Sequence, residues 1–328
     1  MAQKVLVAPL SWGLGHATRC IPAIRHLLKK GDVVHIASDG AALEYLRSSF
    51  PHLVFHELPL LRITYTNRLP LYLKFPEIAF RLMVQLWRDR RAIRQLQKKE
   101  HFDIVISDSR LGLRCEDAKC YLMTHQMRVV FGKKEGLVER LSARIVRRMA
   151  AKFDACLIPD YDNASNLTGK ISLPAKGIKH LYINPQSRFP IASAEFPLPS
   201  FDLLVILSGP EPQRSKLERL VIALSVNSRK QIMLVRGTQR PSALVQLGNF
   251  RFIDFASDAM LQALILKSAL VVARAGYSTI MDLNALGKGA VLVPTPHQPE
   301  QEYLASWLDG KRGFTRAEQS IEGLKKWF

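Results

Sequence analysis

The chain has 328 residues, of which 48% are hydrophobic and 23% are charged. This composition is typical of a folded protein long enough for two domains, and it excludes an intrinsically disordered chain. Basic residues outnumber acidic residues by 47 to 28, which gives a net charge of +19. Residues 1–190 hold 31 of the basic and 16 of the acidic residues, so we expect any anionic partner to bind this half.

The cysteines and the hydropathy favour a cytoplasmic protein. Cys20, Cys115, Cys120 and Cys156 lack the spacing of metal ligands or of C-x-x-C pairs, so we expect free thiols in a reducing compartment. No run of about 18 apolar residues is present. The first apolar run, Val5–Ala8, is too short for a signal peptide. We therefore expect any contact with the inner face of the cytoplasmic membrane to be peripheral.

Apolar runs rich in Val, Ile and Leu alternate with helical stretches along the chain. Such continuous runs suit strands buried on both faces of a parallel sheet, and the alternation predicts an α/β fold. The predicted strands are Val5–Leu10, Val33–Ala37, Leu53–Phe55, Ile104–Ile106, Tyr121–Thr124, Ala155–Ile158, Leu203–Leu207, Ile232–Val235, Phe252–Phe255, Leu270–Ala273 and Ala290–Val293. The predicted helices include Ile21–Lys30, Glu77–Glu100, Leu137–Lys152, Lys216–Ser225 and Ile280–Leu286.

A proline-rich segment divides these elements into two sets. Pro185, Pro190, Pro197 and Pro199 exclude a helix or a central strand in that stretch. We predict one domain over residues 1–184, a linker over 185–200 and a second domain over 201–328. Each domain is expected to be doubly wound and Rossmann-like, and the two are expected to face each other across a cleft.

The first predicted strand runs into a glycine loop that reads Trp12-Gly13-Leu14-Gly15-His16-Ala17-Thr18-Arg19. Thr18 stands where a dinucleotide fingerprint needs its third glycine, so NAD binding is only weakly indicated. We interpret Trp12, Gly13, Leu14, Gly15 and Thr18 as a loop that approaches a substrate closely. His16 would then act as a general base. The alternative is that His16 only caps the helix.

Polar residues follow other predicted strands, at the sheet edge where ligands bind in such folds. Asp108 follows the predicted strand His101–Ile106, and we expect it to orient His16 or to bind an acceptor. His125 has an equivalent position with less support. The pattern Asp160-Tyr161-Asp162 is typical of metal-dependent sugar transferases. It lies far in sequence from the phosphate-binding turn described next, so we expect no metal ion.

The most specific pattern lies in the second domain. A predicted strand, Ala269–Ala273, runs through a glycine turn into a helix that begins near Ser278. Backbone N–H groups and the positive end of the helix dipole attract phosphate at such a start. Asp282, about one turn inside the helix, would accept hydrogen bonds from sugar hydroxyls. Arg274 would be either a phosphate ligand or a surface charge.

Two further turns in the second domain are candidates for phosphate contacts. Ser208 and Gly209 follow a predicted strand and would donate to phosphate oxygens. Arg214 would neutralise the negative charge of the phosphate. Arg236 follows the next predicted strand. Simple β-to-α turns without a ligand are the alternative for both.

A basic region in the first domain is a candidate for surface binding. Its positive residues are Arg81, Arg88, Arg90, Arg91, Arg94, Lys98, Lys99, Arg140, Arg144, Arg147 and Arg148. The apolar and aromatic segment Leu69–Pro76 precedes them. This mixture suits an anionic membrane surface and, less well, RNA. A solvated helix face is the alternative.

Together, the Gly13–His16 loop and the segment from Ala273 to Tyr303 resemble the GT-B glycosyltransferases of family 28, including its MurG-type members in cell-envelope biosynthesis. The resemblance implies an acceptor-binding first domain and a second domain that binds a UDP-sugar. It implies that Gly276–Thr279 hold the diphosphate and Asp282 the ribose. The donor-binding candidates are Ser208, Gly209, Arg214, Arg236, Phe255, Ala256, Met260, Arg274, Gly276, Tyr277, Ser278, Thr279, Asp282, His297, Gln301 and Glu302.

In this resemblance, backbone near Phe255 and Ala256 contacts uracil, with Met260 packed nearby. Gln301 and Glu302 contact sugar hydroxyls. Glu302 replaces a family glutamine and adds a negative charge, which leaves the identity of the donor sugar open.

The leading hypothesis is an inverting, metal-independent glycosyltransferase with no cofactor. Its donor would be a nucleotide diphosphate-sugar and its acceptor a lipid-linked sugar or other saccharide at a membrane surface. The nucleotide-sugar itself is a co-substrate, and no nucleic-acid partner is expected. A UDP-sugar 2-epimerase on the same fold is one alternative. The other is a non-catalytic basic adaptor that binds membrane or nucleic acid.

Overall fold

The computed structural model describes residues 2–59, 75–128, 130, 136–189, 197–238 and 244–328, without the side chains of residues 75–82, 137 and 138. The chain forms two compact units. The first contains Met1–Arg128, Arg140–Asp162 and Ile171–Gln186; the second contains Val129–Glu139, Asn163–Lys170 and Ser187–Phe328. The predicted boundary at 185–200 places all earlier residues in the first domain, but Val129–Glu139 and Asn163–Lys170 belong to the second unit. Residues 69–74 of the predicted apolar segment and 190–196 of the predicted linker lie outside the described residues.

The first unit is built on a seven-stranded parallel sheet. Its strands are β1 (Lys4–Pro9), β2 (Val33–Ser38), β3 (Val54–Glu57), β4 (Ile104–Asp108), β5 (Lys119–Met123), β6 (Ala155–Ile158) and β7 (His180–Tyr182). They lie in the order β3-β2-β1-β4-β5-β6-β7. Leu6 and Ala8 of β1 pack into one hydrophobic core, whereas Val5 and Val7 pack into another. Burial on both faces explains why the strand reads as a continuous apolar run.

Helices connect these parallel strands. The unit contains α1 (Gly15–Lys30), α2 (Gly40–Ser49), α3 (Phe75–Glu100) and the residues of α4 (Leu137–Ala150) from Arg140 onward. Helix α1 ends at Gly31, which adopts a left-handed conformation with φ of 85°. Lys29 and Lys30 lie in its last turn, where positive charge interacts favourably with the helix dipole.

The second unit also has a seven-stranded sheet. Its strands are β8 (Phe201–Ile206), β9 (Ile232–Val235), β10 (Val245–Leu247), β11 (Phe250–Ile253), β12 (Ser268–Ala273), β13 (Val291–Leu292) and β14 (Thr315–Arg316). Their order is β10-β11-β9-β8-β12-β13-β14. Strand β10 is antiparallel to β11, and the other pairs are parallel. The helices are α5 (Gln213–Ser225), α6 (Asp258–Lys267), α7 (Tyr277–Ala285), α8 (Pro299–Leu308) and α9 (Ile321–Leu324), followed by a 3₁₀ turn at Lys325–Trp327.

The predicted class of two α/β domains with parallel sheets is confirmed. Every predicted strand overlaps an observed one. Strands β7, β10 and β14 were not predicted, because two or three residues are too few to show a periodic pattern. Helices α2, α6 and α8 were also not predicted. In α6 the sequence DAMLQALILK is apolar on several sides, so it lacks the polar stripe that marks a surface helix.

Within the residues described, none of the helices combines the length and hydropathy needed to cross a bilayer.

Gly237, directly after β9, provides a test of backbone packing in the second unit. Its φ is +67°, and a Cβ atom added there would overlap the carbonyl oxygen of Leu207. Gly248 has a similar φ of +63°, but a Cβ atom there meets open space. Gly248→Ala should therefore cost about 1 kcal/mol of unfolding free energy for the left-handed backbone alone. We expect Gly237→Ala to cost at least about 2 kcal/mol more, measured by urea unfolding of both variants. Equal losses would contradict the predicted clash.

Candidate functional site

Parallel pairing in the first unit brings the carboxyl ends of β1, β4 and β5 to one edge of the sheet. Pro9 pairs with Asp108, and Asp108 pairs with Met123. The glycine loop after β1 leads from this edge into α1. Gly13 has a φ of +77°, and Thr18 donates to the carbonyl oxygen of Gly15 at 3.0 Å. Trp12 is 49% exposed in this loop. The predicted catalytic residues and loop therefore lie at the same sheet edge.

Asp108 is the last residue of β4 and is fully buried. Its carboxylate forms a two-pronged ion pair with Arg19 of α1: Arg19 Nε donates to Oδ2 at 2.8 Å, and Arg19 Nη2 donates to Oδ1. Burial by itself raises the pKa of Asp108, but Arg19 and His16 outweigh it and hold the pKa well below its usual range. Asp108 is therefore ionised at neutral pH.

His16 contacts both members of this pair. Its Nδ1 lies 3.3 Å from Asp108 Oδ2 and 2.8 Å from Arg19 Nη2. The contact with Asp108 is the one that the sequence led us to expect. Burial and the Arg19 charge lower the pKa of His16, although Asp108 partly opposes them. The imidazole is therefore neutral at pH 7, which is the state a general base requires.

Two members of this cluster were not predicted as such. Arg19 belongs to the predicted loop without an assigned role, and His125 has less sequence support than Asp108. Arg19 Nη1 lies 2.8 Å from His125 Nδ1, and Arg19 is 3% exposed. A signal was present for both, because Arg19 is three residues after His16 on one helix face and His125 follows the strand next to β4.

The second unit shows the same arrangement at its own sheet edge. Ile206, Val235, Ile253, Ala273 and Leu292 are in register across five neighbouring parallel strands. The segments that follow these residues therefore lie side by side. They contain the predicted residues Ser208, Gly209, Arg236, Phe255, Ala256, Arg274 and Gly276. The structure thus brings together residues that are up to 68 positions apart in sequence.

Helix α7 begins at this edge. Gly276 is its N-cap residue in an extended conformation, with no side-chain cap, and Ile280 N–H donates to the Gly276 carbonyl at 3.0 Å. Ser278 and Thr279 thus lie in the first turn, where an α-helix offers backbone N–H groups no partner within the helix. Tyr277 is buried. The Thr295 hydroxyl is also buried, with no hydrogen-bond partner among the described residues. This edge has the polar groups that phosphate binding needs.

The geometry argues against the predicted phosphate contact of Arg274. Its side chain is 1% exposed, and its guanidinium donates to the carbonyl oxygens of Gln213 at 2.8 Å and Pro294 at 3.2 Å. Burial lowers its pKa to about 10. Arg274 is therefore a buried structural residue that ties the segment after β13 to the start of α5. It is not a surface charge, and a phosphate contact through its Nη groups would require them to leave these carbonyl oxygens.

Arg214 and Arg236 are likewise committed to carboxylates. Arg214 Nη1 lies 2.7 Å from Glu218 Oε2, and Arg236 Nε lies 2.5 Å from Glu218 Oε1. Arg236 also pairs with Asp254 at 2.7 Å, and Arg214 pairs with Glu211. The predicted role of both arginines in neutralising phosphate would require them to leave these partners.

Asp282 also has protein partners where a ribose was expected. It is 4% exposed, and its carboxylate accepts from Ser187 Oγ at 2.7 Å and from Arg188 Nε at 3.1 Å. Burial raises the pKa of Asp282, which Arg188 opposes. Both carboxylate oxygens are thus engaged by residues within the predicted linker. A ribose would have to share or displace these contacts.

The remaining donor candidates lie around the same edge and on α6 and α8. Gln301 Oε1 accepts from Thr295 N–H at 2.9 Å, and the exposed Glu302 accepts from His297 N–H at 3.0 Å. Both side chains thus stabilise the turn before α8. Phe255 is 39% exposed after β11, whereas Ala256 is buried. Met260 lies in the first turn of α6, where its N–H donates to Ser257 Oγ at 3.3 Å.

The D-x-D pattern of the first unit is built into a turn. Asp160 is fully buried and accepts from Tyr161 N–H at 2.8 Å and from Ser172 Oγ at 3.1 Å. Its carboxylate is therefore engaged in holding the local backbone.

Basic and apolar side chains share the exposed surfaces of α3 and α4. On α3, a shallow cavity of about 390 Å³ is lined by Trp87, Arg90, Arg91, Arg94, Gln95 and Lys98. Met83 and Trp87 are each 61% exposed. On α4, Leu141 is 58% exposed and Ile145 is 52% exposed, with Arg144 and Arg148 on the same face. Large apolar side chains framed by arginines are unusual for a face that meets only water.

Comparison with known proteins identifies the carboxyl-terminal region. Residues 213–315 match the family described as "Glycosyltransferase family 28 C-terminal domain". A curated protein of Methylorubrum extorquens strain PA1 is 31% identical over 139 residues. It is the UDP-N-acetylglucosamine–N-acetylmuramyl-(pentapeptide) pyrophosphoryl-undecaprenol N-acetylglucosamine transferase. That match covers 38% of this chain and only 37% of the relative.

Solved structures share the whole fold at low sequence identity. UGT89C1 of Arabidopsis thaliana, complexed with UDP-L-rhamnose, has a TM-score of 0.65 and 14% identity, covering 99% of this chain and 89% of that one. MurG of Acinetobacter baumannii has a TM-score of 0.58 and 15% identity, and the match covers 98% of this chain and 89% of that one. The fold is thus that of GT-B glycosyltransferases, and the resemblance to family 28 and MurG-type proteins is confirmed.

The Arg19–Asp108 pair provides a test of the cluster around His16. Removing one partner leaves a buried charge uncompensated, so we expect Asp108→Asn and Arg19→Met each to cost about 3–5 kcal/mol of unfolding free energy. The double variant Arg19→Met/Asp108→Asn should cost less than the sum of the two single changes. Arg47→Met, which breaks an exposed pair with Glu44, should cost less than about 1 kcal/mol.

The measurement is denaturant unfolding of the four variants at pH 7, repeated at lower pH. Because the folded pKa of Asp108 is depressed, its stabilisation is complete above the unfolded pKa of about 3.9 and is lost as the pH falls below it. Asp108→Asn should remove that part of the acid sensitivity. Additive losses, or an unchanged acid profile in Asp108→Asn, would contradict the coupling.

Proposed function

We propose that this protein is a glycosyltransferase that moves a sugar from a nucleotide diphosphate-sugar to an acceptor hydroxyl. The observation that carries the proposal is the family 28 C-terminal domain at residues 213–315, which includes the start of α7 at the sheet edge. The curated relative acts with a UDP-sugar, and the Arabidopsis structure contains one. We therefore propose a UDP-sugar as the donor.

In the proposed reaction, the diphosphate binds at the first turn of α7. The backbone N–H groups of Ser278 and Thr279 and the helix dipole stabilise the negative charge that develops on the departing nucleotide diphosphate. The buried Thr295 hydroxyl is a further donor on the neighbouring segment. This stabilisation comes from the chain itself, so we propose that transfer needs no divalent cation.

The acceptor hydroxyl is activated by His16. Nε2 of the neutral imidazole takes the hydroxyl proton while the oxygen attacks the anomeric carbon, and the bond to the diphosphate breaks. A single displacement of this kind inverts the anomeric configuration. Nδ1 lies 2.8 Å from Arg19 Nη2, which can only donate, so Nδ1 accepts in this arrangement and the ring proton is on Nε2. The role of base therefore requires the proton to move to Nδ1, where it donates to Asp108 Oδ2, 3.3 Å away. Asp108 is then a positioning residue that holds the ring and stabilises the imidazolium that forms.

We further propose that the acceptor is lipid-linked and is reached at an anionic membrane surface. The support is the mixture of exposed apolar and basic side chains on α3 and α4. The curated relative, by its name, transfers to an undecaprenol-linked acceptor. Peripheral binding of this kind combines buried apolar area with attraction to anionic lipid headgroups.

The catalytic proposal predicts a separation of rate from donor binding. His16→Ala should lower kcat by roughly 10²–10⁴-fold and leave the affinity for UDP unchanged. His26→Ala, an exposed histidine on the same helix, is the control and should retain full activity. The assay follows transfer from radiolabelled UDP-sugars to lipid-linked acceptors, and calorimetry measures UDP binding. Because the pKa of His16 is lowered, activity should persist below pH 6.5 before protonation removes it.

Three outcomes would count against parts of this proposal. Full activity in His16→Ala would remove the assigned base. An epimerised sugar nucleotide formed from donor alone would point to an epimerase instead. Loss of activity on chelation with EDTA, restored by Mg²⁺ or Mn²⁺, would contradict the metal-independent mechanism.

The membrane proposal predicts salt-sensitive binding to anionic vesicles. Wild-type protein should co-sediment with vesicles that contain phosphatidylglycerol, less so as salt rises, and not with pure phosphatidylcholine. Arg144→Glu/Arg148→Glu on α4 should abolish most of this binding. Lys216→Glu/Arg219→Glu on α5 makes the same change in charge on another exposed helix and should have little effect. Equal losses in both double variants would mean that net charge alone, and not the α4 face, directs binding.

A further inference from the structure

Three side chains with metal-ligand atoms meet on the first unit, away from the cluster around His16. They are His35 in β2, His56 in β3 and Glu100 at the end of α3. His35 Nδ1 lies 2.9 Å from His56 Nε2 and 3.9 Å from Glu100 Oε2. All three ligand atoms lie within 4.8 Å of one another.

The strand register explains why the two imidazoles meet. His35 pairs with Val54, and Ala37 pairs with His56, so the histidines are diagonal neighbours on one face of the sheet. Phe102 packs edge-on against both rings, with centroid distances of 5.3 Å and 6.2 Å. The aromatic ring closes one side of the cluster with apolar surface. His35 is 5% exposed, whereas His56 and Glu100 are half-buried and leave the other side open to solvent.

We propose that His35, His56 and Glu100 form a zinc site, with solvent in the fourth coordination position. Two imidazole nitrogens and one carboxylate oxygen are a ligand set that Zn²⁺ uses, with bonds of about 2.0–2.2 Å. Tetrahedral bonds of that length place ligand atoms roughly 3.3–3.4 Å apart. The other two ligand atoms lie 2.9 Å and 3.9 Å from His35 Nδ1, on either side of this value. All three ligand atoms lie within 4.8 Å of one another, which is close to the spacing of a zinc site.

The metal-free arrangement is a hydrogen bond between the two rings. One of the facing nitrogens carries a proton and the other accepts it. Zinc needs the lone pairs of both facing nitrogens, His35 Nδ1 and His56 Nε2. The ring whose facing nitrogen carries the proton therefore changes tautomer, so the proton moves to its other nitrogen and no net proton is released. Burial and Lys4 lower the pKa of His35, and burial lowers the pKa of His56, so both rings are already neutral at pH 7.

Lys4 acts on the site in two ways. Its Nζ donates to Glu100 Oε2 at 2.8 Å and to the Glu100 carbonyl oxygen at 2.7 Å, which fixes the carboxylate beside the histidines. Its positive charge also repels a cation. Zinc binding should therefore be tighter when this charge is removed and the shape of the side chain is kept.

The site has a structural role in this proposal. It joins β2, β3 and the end of α3 near the amino end of the sheet, where Lys4 begins β1. His16 and Asp108 lie at the carboxyl end of the strands. Loss of zinc should therefore change the stability of this unit without changing the transfer reaction, and the two proposals fail independently.

The test is calorimetry of the full chain with Zn²⁺ at pH 7.5 after treatment with EDTA and its removal. We expect one tight equivalent, a higher melting temperature with zinc, and a visible Co²⁺ spectrum typical of tetrahedral coordination. His56→Gln removes a zinc ligand and should weaken zinc binding. The loss should exceed the roughly 10–100-fold that follows when a residue hydrogen-bonded to a ligand is removed. His52→Gln changes an exposed histidine four residues away and should bind as wild type.

Two further variants separate a zinc site from a hydrogen-bonded pair. Glu100→Gln should weaken zinc binding, and Lys4→Met should strengthen it, both without loss of the fold by circular dichroism. Identical zinc affinity in wild type and His56→Gln would overturn the proposal. So would a failure of wild-type protein to bind Zn²⁺ at all, which would leave the two histidines as a hydrogen-bonded pair only.

Discussion

In both units the parallel pairing of strands fixes where chemistry can occur. Strands that run in the same direction and in register end at the same edge, so the segments after them are held side by side. In the first unit this constraint places Asp108 beside the loop that carries His16. In the second it aligns the ends of five strands around the start of α7. Hydrophobic cores pack on both faces of the first sheet, and a further core packs against the second.

Buried charge is the second organising feature. Arg19 and Asp108 neutralise each other inside the first unit and both contact His16, whose pKa is lowered by burial first and by the Arg19 charge second. Arg110 is also fully buried, where it pairs with Asp39 at 2.7 Å and Asp89 at 2.8 Å. Such pairs cost desolvation free energy but fix geometry, because neither partner has an alternative inside an apolar core. These pairs remove at least as many negative charges as positive ones and so leave the basic excess in place. Exposed arginines that contribute to it are Arg88, Arg91 and Arg94 on α3 and Arg144, Arg147 and Arg148 on α4.

The donor edge shows a different use of arginine. Arg214 and Arg236 both pair with the carboxylate of Glu218. Arg188 pairs with two aspartates: its Nε lies 3.1 Å from Asp282 Oδ2, and its Nη1 lies 3.1 Å from Asp258 Oδ1. Arg214 and Arg236 follow turns that the sequence associates with phosphate, whereas Arg188 lies in the predicted linker. In the structure these three arginines form ion pairs with carboxylates of the second unit. Among the described residues at this edge, the buried hydroxyls of Thr238 and Thr295 have no hydrogen-bond partner, and the first turn of α7 presents backbone N–H groups.

Local patterns in the sequence are enough to predict the class of fold and the two sheet edges, because continuous apolar runs of four to six residues are strong signals of buried parallel strands. They also identify His16, Asp108 and the start of α7, because glycine turns and polar residues after such runs are local features. Tertiary structure alone decided which charges are paired. Arg19 with Asp108, Arg214 with Glu218 and Asp282 with Arg188 depend on side-chain directions that no local pattern encodes. The same is true of His35 and His56, which meet only because two strands 21 residues apart pair in one particular register.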